Sequence, residues 1–158
     1  MKMRAQHAVL VLSVFIIGCT TEPIEDTLNI ETENVTVLEQ DVLDIVNSYR
    51  SDLGANTLVF SYIAYEYANK HTDYMITKGS LSHDNFSSRA SSIASKVEVQ
   101  MVAENVAKDY DTAQEAFNGW YKSSTHKKTM EGDFTHTAVS VKKDENGNFY
   151  FTQLFYKE

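Results

Sequence analysis

One cysteine, Cys19, occurs in the 158 residues, so no disulfide can form within the chain and stability must come from packing. There is one proline and no internal repeat or heptad run, which sets aside Pro-rich, solenoid and coiled-coil architectures. Basic residues are scarce: 14 Lys and Arg stand against 22 Asp and Glu, for a formal net charge of -8 and a pI near 5.1. A nucleic-acid partner needs a basic footprint to displace phosphate counterions, so that partner is excluded. The chain also lacks a G-x-S-x-G elbow, an H-E-x-x-H pair and a phosphate-binding glycine loop, the short motifs that would announce a hydrolase or a nucleotide enzyme.

What is present begins with the N-terminus. Lys2 and Arg4 precede an apolar run, Ala8 to Ile17, too short to stay in a bilayer as a spanning helix and of the right length for a signal peptide. The run ends Ile16-Ile17-Gly18-Cys19 and resembles a bacterial lipobox, in which the cysteine is lipidated and becomes the new N-terminus. Residues 1–18 then form the leader and Cys19 the membrane anchor. Residues 19–37 hold Glu22, Glu25, Asp26, Glu31 and Glu33 and no basic residue, a composition that buries little and suits an acidic tether. Removal of the leader takes away two positive charges and no acid, moving the formal charge from -8 to -10. The expected location is the cell envelope or its exterior, lipid-anchored, with the outer membrane as the site in a Gram-negative cell.

Residues 38–158, with a chain-wide hydrophobic content of 42%, suffice for one domain with its own core. Leu38, Val42, Ile45, Val46, Tyr49 and Leu53 recur at helical spacing and Gly54 ends the run, predicting a first helix. Thr57 to Phe60 reads as extended. Ser61 is a plausible N-cap for a second helix presenting Ala64, Tyr67, Ala68, His71 and Met75 and closing at Gly79. A short helix is predicted within 87–96, a valine-rich strand within 97–106, and a helix capped by Asp111 or Thr112 that turns Ala113, Ala116, Phe117 and Trp120 inward. Thr137 to Lys143 and Phe149 to Tyr156, joined through Asn146-Gly147 as a two-residue turn, predict a β-hairpin. Helices early and a hairpin late, without βαβ alternation, indicate an α+β domain with helices packed on an antiparallel sheet.

Three segments stand out as a site. SHDNF at 82–86 carries His83, AENVA at 103–107 carries Glu104, and WYKSSTHKKTMEGDF at 120–134 carries Ser123 and His126, the last placed just beyond the preceding helix. About twenty positions separate each of His83, Glu104 and His126 from the next, so only the tertiary fold can bring them together. Two imidazoles and a carboxylate are the ligand set of an open zinc site with a fourth position for water. They equally suit a metal-free group in which Glu104 orients one imidazole and Ser123 or Tyr121 completes the network. His71, on the apolar face of its helix, is an outer candidate, and His136 is expected to be exposed or at the rim of the cleft.

In order and spacing, SHDNF, AENVA, W-x-x-S-x-x-H at Trp120, Ser123 and His126, and FTH ahead of paired strands resemble the bacterial branch of the CAP superfamily. That superfamily groups sperm-coating and cysteine-rich secretory proteins, venom antigens and plant pathogenesis-related proteins. The resemblance spans about Leu38 to Phe155 and implies an αβα sandwich with a cleft lined by two histidines and acidic residues. His83 and His126 match the cleft histidines and Glu104 the first cleft glutamate. Ser123 stands where the second glutamate is expected. Thr129, Ala138 and Ser140 also depart from the pattern, the last two where a Gly-x-Gly pair would leave room beside the sheet.

Three functions fit these residues. The first is an extracytoplasmic binding or interaction module for an unknown ligand or protein, with a conditional zinc site at His83, Glu104 and His126. The second is a hydrolase of peptide or envelope polymer in which the same three residues hold metal or act as acid and base. The third is a lipid or sterol carrier, as the resemblance to some relatives implies. The missing nucleophile places the binding module first.

Overall fold

The computed structural model describes residues 32–158. The leader, Cys19 and most of the tether lie outside them.

Five helices and four strands follow in the order α1 Thr36–Asp52, β1 Val59–Phe60, α2 Tyr62–Lys78, α3 Phe86–Ala94, β2 Met101–Lys108, α4 Ala113–Lys122, α5 Ser124–Met130, β3 His136–Lys143 and β4 Phe149–Lys157. The strands form one sheet in the order β1-β3-β4-β2. β3 and β4 pair antiparallel with Ala138 opposite Leu154, and β2 pairs antiparallel with β4 with Glu104 opposite Leu154. β1 runs parallel to β3, so the sheet is mixed rather than purely antiparallel.

Both faces of the sheet are covered. On one, Val42 and Val46 of α1 and Ala113, Ala116, Phe117 and Trp120 of α4 meet Val139, Val141, Phe151 and Phe155. On the other, Ala64 and Ala68 of α2 and Ile93 of α3 meet Ala138, Leu154 and Tyr156. Alternate residues of β4 therefore serve opposite cores, and the result is an αβα sandwich of α+β class. Ala138 and Ser140, where a Gly-x-Gly pair would leave room beside the sheet, fill that room against α2: Ala138 packs with its alanines and the Ser140 hydroxyl donates to the Asn69 amide oxygen at 2.8 Å.

Local chemistry sets most element ends. The Ser61 hydroxyl accepts from Ala64 N at the start of α2, Gly79 closes that helix at φ 72°, and Thr112 with Glu115 builds a capping box on α4. The hairpin turn is longer than the two residues expected. Gly147 N donates to Asp144 O, Gly147 sits at φ 86°, and the Asp144 carboxylate accepts from the backbone of Asn146 and Asn148, a three-residue loop whose last position takes the left-handed conformation.

Folded structure also starts before Leu38. Val35 N donates to Val141 O, Asn34 forms an antiparallel bridge with Lys142, and Thr32 Oγ1 donates to Asp73. β1 shields only the first residues of β3, and this arm with α1 covers the remainder. The Glu39 carboxylate, 8% exposed, accepts the Val141 N–H at 2.9 Å in place of a neighbouring strand, and it also accepts from Tyr65 and Asn34.

Candidate functional site

Glu104 lies on edge strand β2 with its side chain turned toward α2 and α3 and almost wholly buried. A carboxylate there must be matched by charge and hydrogen bonds, and Arg89 of α3 supplies both. Its Nε donates to Oε2 at 2.9 Å and its Nη2 to Oε1 at 2.8 Å, while Nη1 reaches Asp84 O at 2.6 Å.

The same carboxylate holds His83. His83 Nδ1 donates to Glu104 Oε1 at 2.9 Å, and its side chain is 52% exposed. With Nδ1 engaged by the carboxylate, Nε2 is the ring nitrogen left for a ligand. The loop bearing His83 is gripped by α2 on either side. His71 Nε2 donates to Ser82 O at 2.6 Å, and Asp84 accepts from Tyr74 at 2.7 Å and pairs with Lys78. These donors hold the Asp84 carboxyl well below the usual carboxylate range, Lys78 contributing most.

His126 comes from the opposite layer. It lies beyond the end of α4, as the sequence suggests, but within a further helix that the sequence did not announce, the seven-residue α5 that follows an extended Ser123. Asn105, the β2 residue after Glu104, donates its Nδ2 to His126 O at 3.1 Å. Buried Arg50 donates to Met130 O and Gly132 O at 2.7 and 2.8 Å and so fixes the far end of α5. The ring centroids of His83 and His126 stand 6.4 Å apart. Burial, and secondarily His83, lowers the His126 pKa, so this imidazole is neutral at pH 7 and offers a lone pair.

His83, Glu104 and His126 thus converge at the β2 edge as the sequence suggests, and the outer candidate His71 belongs to the group as well. Its Nε2 lies 3.6 Å from Glu104 Oε1, it is 2% exposed, and burial lowers its pKa. Ser123 is half-buried at the start of α5 without a side-chain cap bond. Among the described residues its hydroxyl makes no hydrogen bond to either histidine. Tyr121 points elsewhere, its ring against Tyr49 and Phe117 with centroids 5.6 and 6.0 Å away. His136 is neither exposed nor part of this group: it is half-buried and stacked on Tyr156 at 4.8 Å.

The zinc set of His83, Glu104 and His126 does not fit this geometry. Both Glu104 oxygens are occupied by Arg89, and Oε1 also accepts from His83. Among the described residues no group of three His, Cys, Asp or Glu side chains is placed to hold a metal ion. The arrangement places two imidazoles side by side, one of them aligned by a carboxylate that Arg89 neutralises.

The profile of the cysteine-rich secretory protein family, CAP, matches residues 43–155. The chain belongs to this family. The uncharacterized membrane protein YlbC of Bacillus subtilis (strain 168) is 30% identical over 128 residues, 77% of this chain and 35% of that protein. The chain therefore spans about a third of that curated relative. An extracellular protein containing an SCP domain from Bacillus anthracis superposes with a TM-score of 0.69 at 25% identity, covering 78% of this chain and 41% of that one. An outer surface protein from Borrelia burgdorferi superposes at 0.71 with 16% identity, covering 80% and 98%, a likeness of fold alone. This CAP domain is thus of a bacterial kind found in membrane-associated and extracellular proteins. No helix among the described residues is long and apolar enough to cross a membrane.

Proposed function

We propose that this CAP domain is an extracytoplasmic binding module, held at the membrane by a lipid on Cys19, whose cleft recognises a polar ligand through His83 and His126. The observation that carries this reading is the closed Arg89–Glu104–His83 set. It supports a carboxylate that orients His83 through Nδ1, with the half-exposed ring beside the imidazole of His126. Two imidazoles so placed suit the hydroxyl or amide groups of a sugar or peptide. Among the described residues the Ser123 hydroxyl is not bonded to either histidine, so a hydrolase with a serine nucleophile gains no support, and the alternative is one in which the histidines activate water.

Calorimetric titration with zinc at neutral pH tests the metal-free cleft. No heat beyond dilution is expected at micromolar zinc. Stoichiometric binding that disappears in both His83→Ala and His126→Ala would overturn it. The anchor is tested separately: Cys19→Ser should move the protein from the membrane to the soluble fraction, and unchanged membrane retention would refute lipidation as the cause.

A further inference from the structure

On the side of the molecule formed by α1 and α4, two adjoining depressions of about 330 and 370 Å³ share Asp44, Ile45 and Gln114 and make one groove between the helices. Its floor is apolar. Leu38, Ile45 and Tyr49 are half-buried against the core, and Phe117 of α4 closes the opposite wall. Its rim is acidic: Asp41, Asp44 and Asp52 line it, and no Lys or Arg does.

The three aspartates sit at steps of three and eight along α1, with Ser48 between the last two, so they form one stripe on the helix surface. Like charges so spaced repel, and Asp52, the last residue of α1, also opposes the negative end of the helix dipole. Among the described residues none of the three has an ion-pair partner, although eight other carboxylates do. Among the described residues the only side-chain donor to any of them is the Gln40 amide, 2.8 Å from Asp44.

We propose that the α1–α4 groove is an interaction surface for a basic amphipathic peptide segment, which lays its apolar side on Leu38, Ile45, Tyr49 and Phe117 and its Lys or Arg side chains against Asp41, Asp44 and Asp52. Charge complementarity selects this occupant. The acidic rim repels an anionic amphiphile, and a neutral apolar one leaves the carboxylates unpaired. From Leu38 to Asp52 the helix rises roughly 21 Å, the length of a helical segment of about 14 residues. The groove shares no residue with the histidine cleft, so the two surfaces stand or fall separately.

The test uses the full chain and a fluorescent Lys/Leu peptide of about 14 residues patterned as an amphipathic helix. Binding is read by anisotropy against the D41N/D44N/D52N variant. A second triple variant, E33Q/E98Q/E145Q, removes the same charge from exposed positions elsewhere. The expected result is saturable binding, weakened at least about tenfold by the groove variant, changed less than about twofold by the control and unaffected by His83→Ala. Peptide-induced amide shifts should centre on Ile45, Tyr49 and Phe117. Equal weakening by both triple variants, equal binding of the Glu-for-Lys peptide, shifts centred elsewhere, or no saturable binding would each overturn the proposal.

Discussion

Arg89 is the residue on which the candidate site turns. Replacing it with Met leaves the Glu104 carboxylate buried without its cation, a change that costs about 3–5 kcal/mol where it has been made in other interiors. Urea unfolding of Arg89→Met should show a loss of that size, and the double variant with Glu104→Met should recover most of it, since two apolar side chains leave no unpaired charge. A double variant as unstable as the single one would mean that the loss came from packing. His71 gives a pH dependence. Burial holds its folded pKa below the ordinary 6.5, so at pH values between the folded and unfolded pKa the unfolded chain binds more protons. Stability from this group is complete above about 6.5 and is lost as pH falls toward the folded value. His126, shifted the same way by burial, adds to the loss. Urea midpoints should drop between about pH 7.5 and about pH 5.5, and His71→Gln should reduce the drop. The sequence disclosed His83, Glu104 and His126 through ordered motifs around each. Arg89 carried no such mark, a lone arginine in a serine-rich segment whose partner lies 15 residues away, and the bidentate geometry that removes Glu104 as a metal ligand exists only in the folded chain.

At the scale of elements, what the sequence revealed followed from local chemistry. Ser61, Gly79 and Thr112 act through neighbours within a few residues, and the apolar stripes of α1, α2 and α4 repeat at helical period, so these helices were readable. The seven-residue α5 was not, because it is too short for a stripe and is held from outside by Arg50 and Asn105. β1 was legible as an extended piece within Thr57 to Phe60, but its parallel pairing depends on β3, distant in sequence. The capping box gives one expected outcome: Thr112→Ala should lower stability by about 1 kcal/mol in urea unfolding. Glu39 gives another with a different signature. Its carboxylate substitutes for a strand beside β3, so Glu39→Ala leaves the Val141 N–H without this acceptor, an omission worth about 1–3 kcal/mol. Hydrogen exchange should then accelerate at Val141 more than at Phe151, on the adjoining strand. Equal acceleration at both would show that global stability fell without a local opening of the sheet edge.

For the whole molecule, the position of the N-terminal arm decides where a stable unit begins. Composition argues that everything before Leu38 is tether, because the segment is acidic and poor in apolar residues, and such a segment has little to gain from burial. Yet Thr32 to Val35 contribute through polar contacts that composition does not register. Thr32 bonds Asp73, which also pairs with buried Lys142 at 2.7 Å, and Asn34 bonds both Glu39 and Asn69. Removing residues before Leu38 also deletes the first two residues of α1 and the Val35–Val141 backbone bond. A chain of residues 38–158 should therefore be less stable than one of residues 32–158, by roughly 2–4 kcal/mol at about 1 kcal/mol for each net hydrogen bond lost. Urea unfolding of the two chains makes the comparison directly. Equal midpoints would mean that the arm rests on the sheet without stabilising it. A large difference would make Thr32 to Val37 part of the domain rather than of the segment before it.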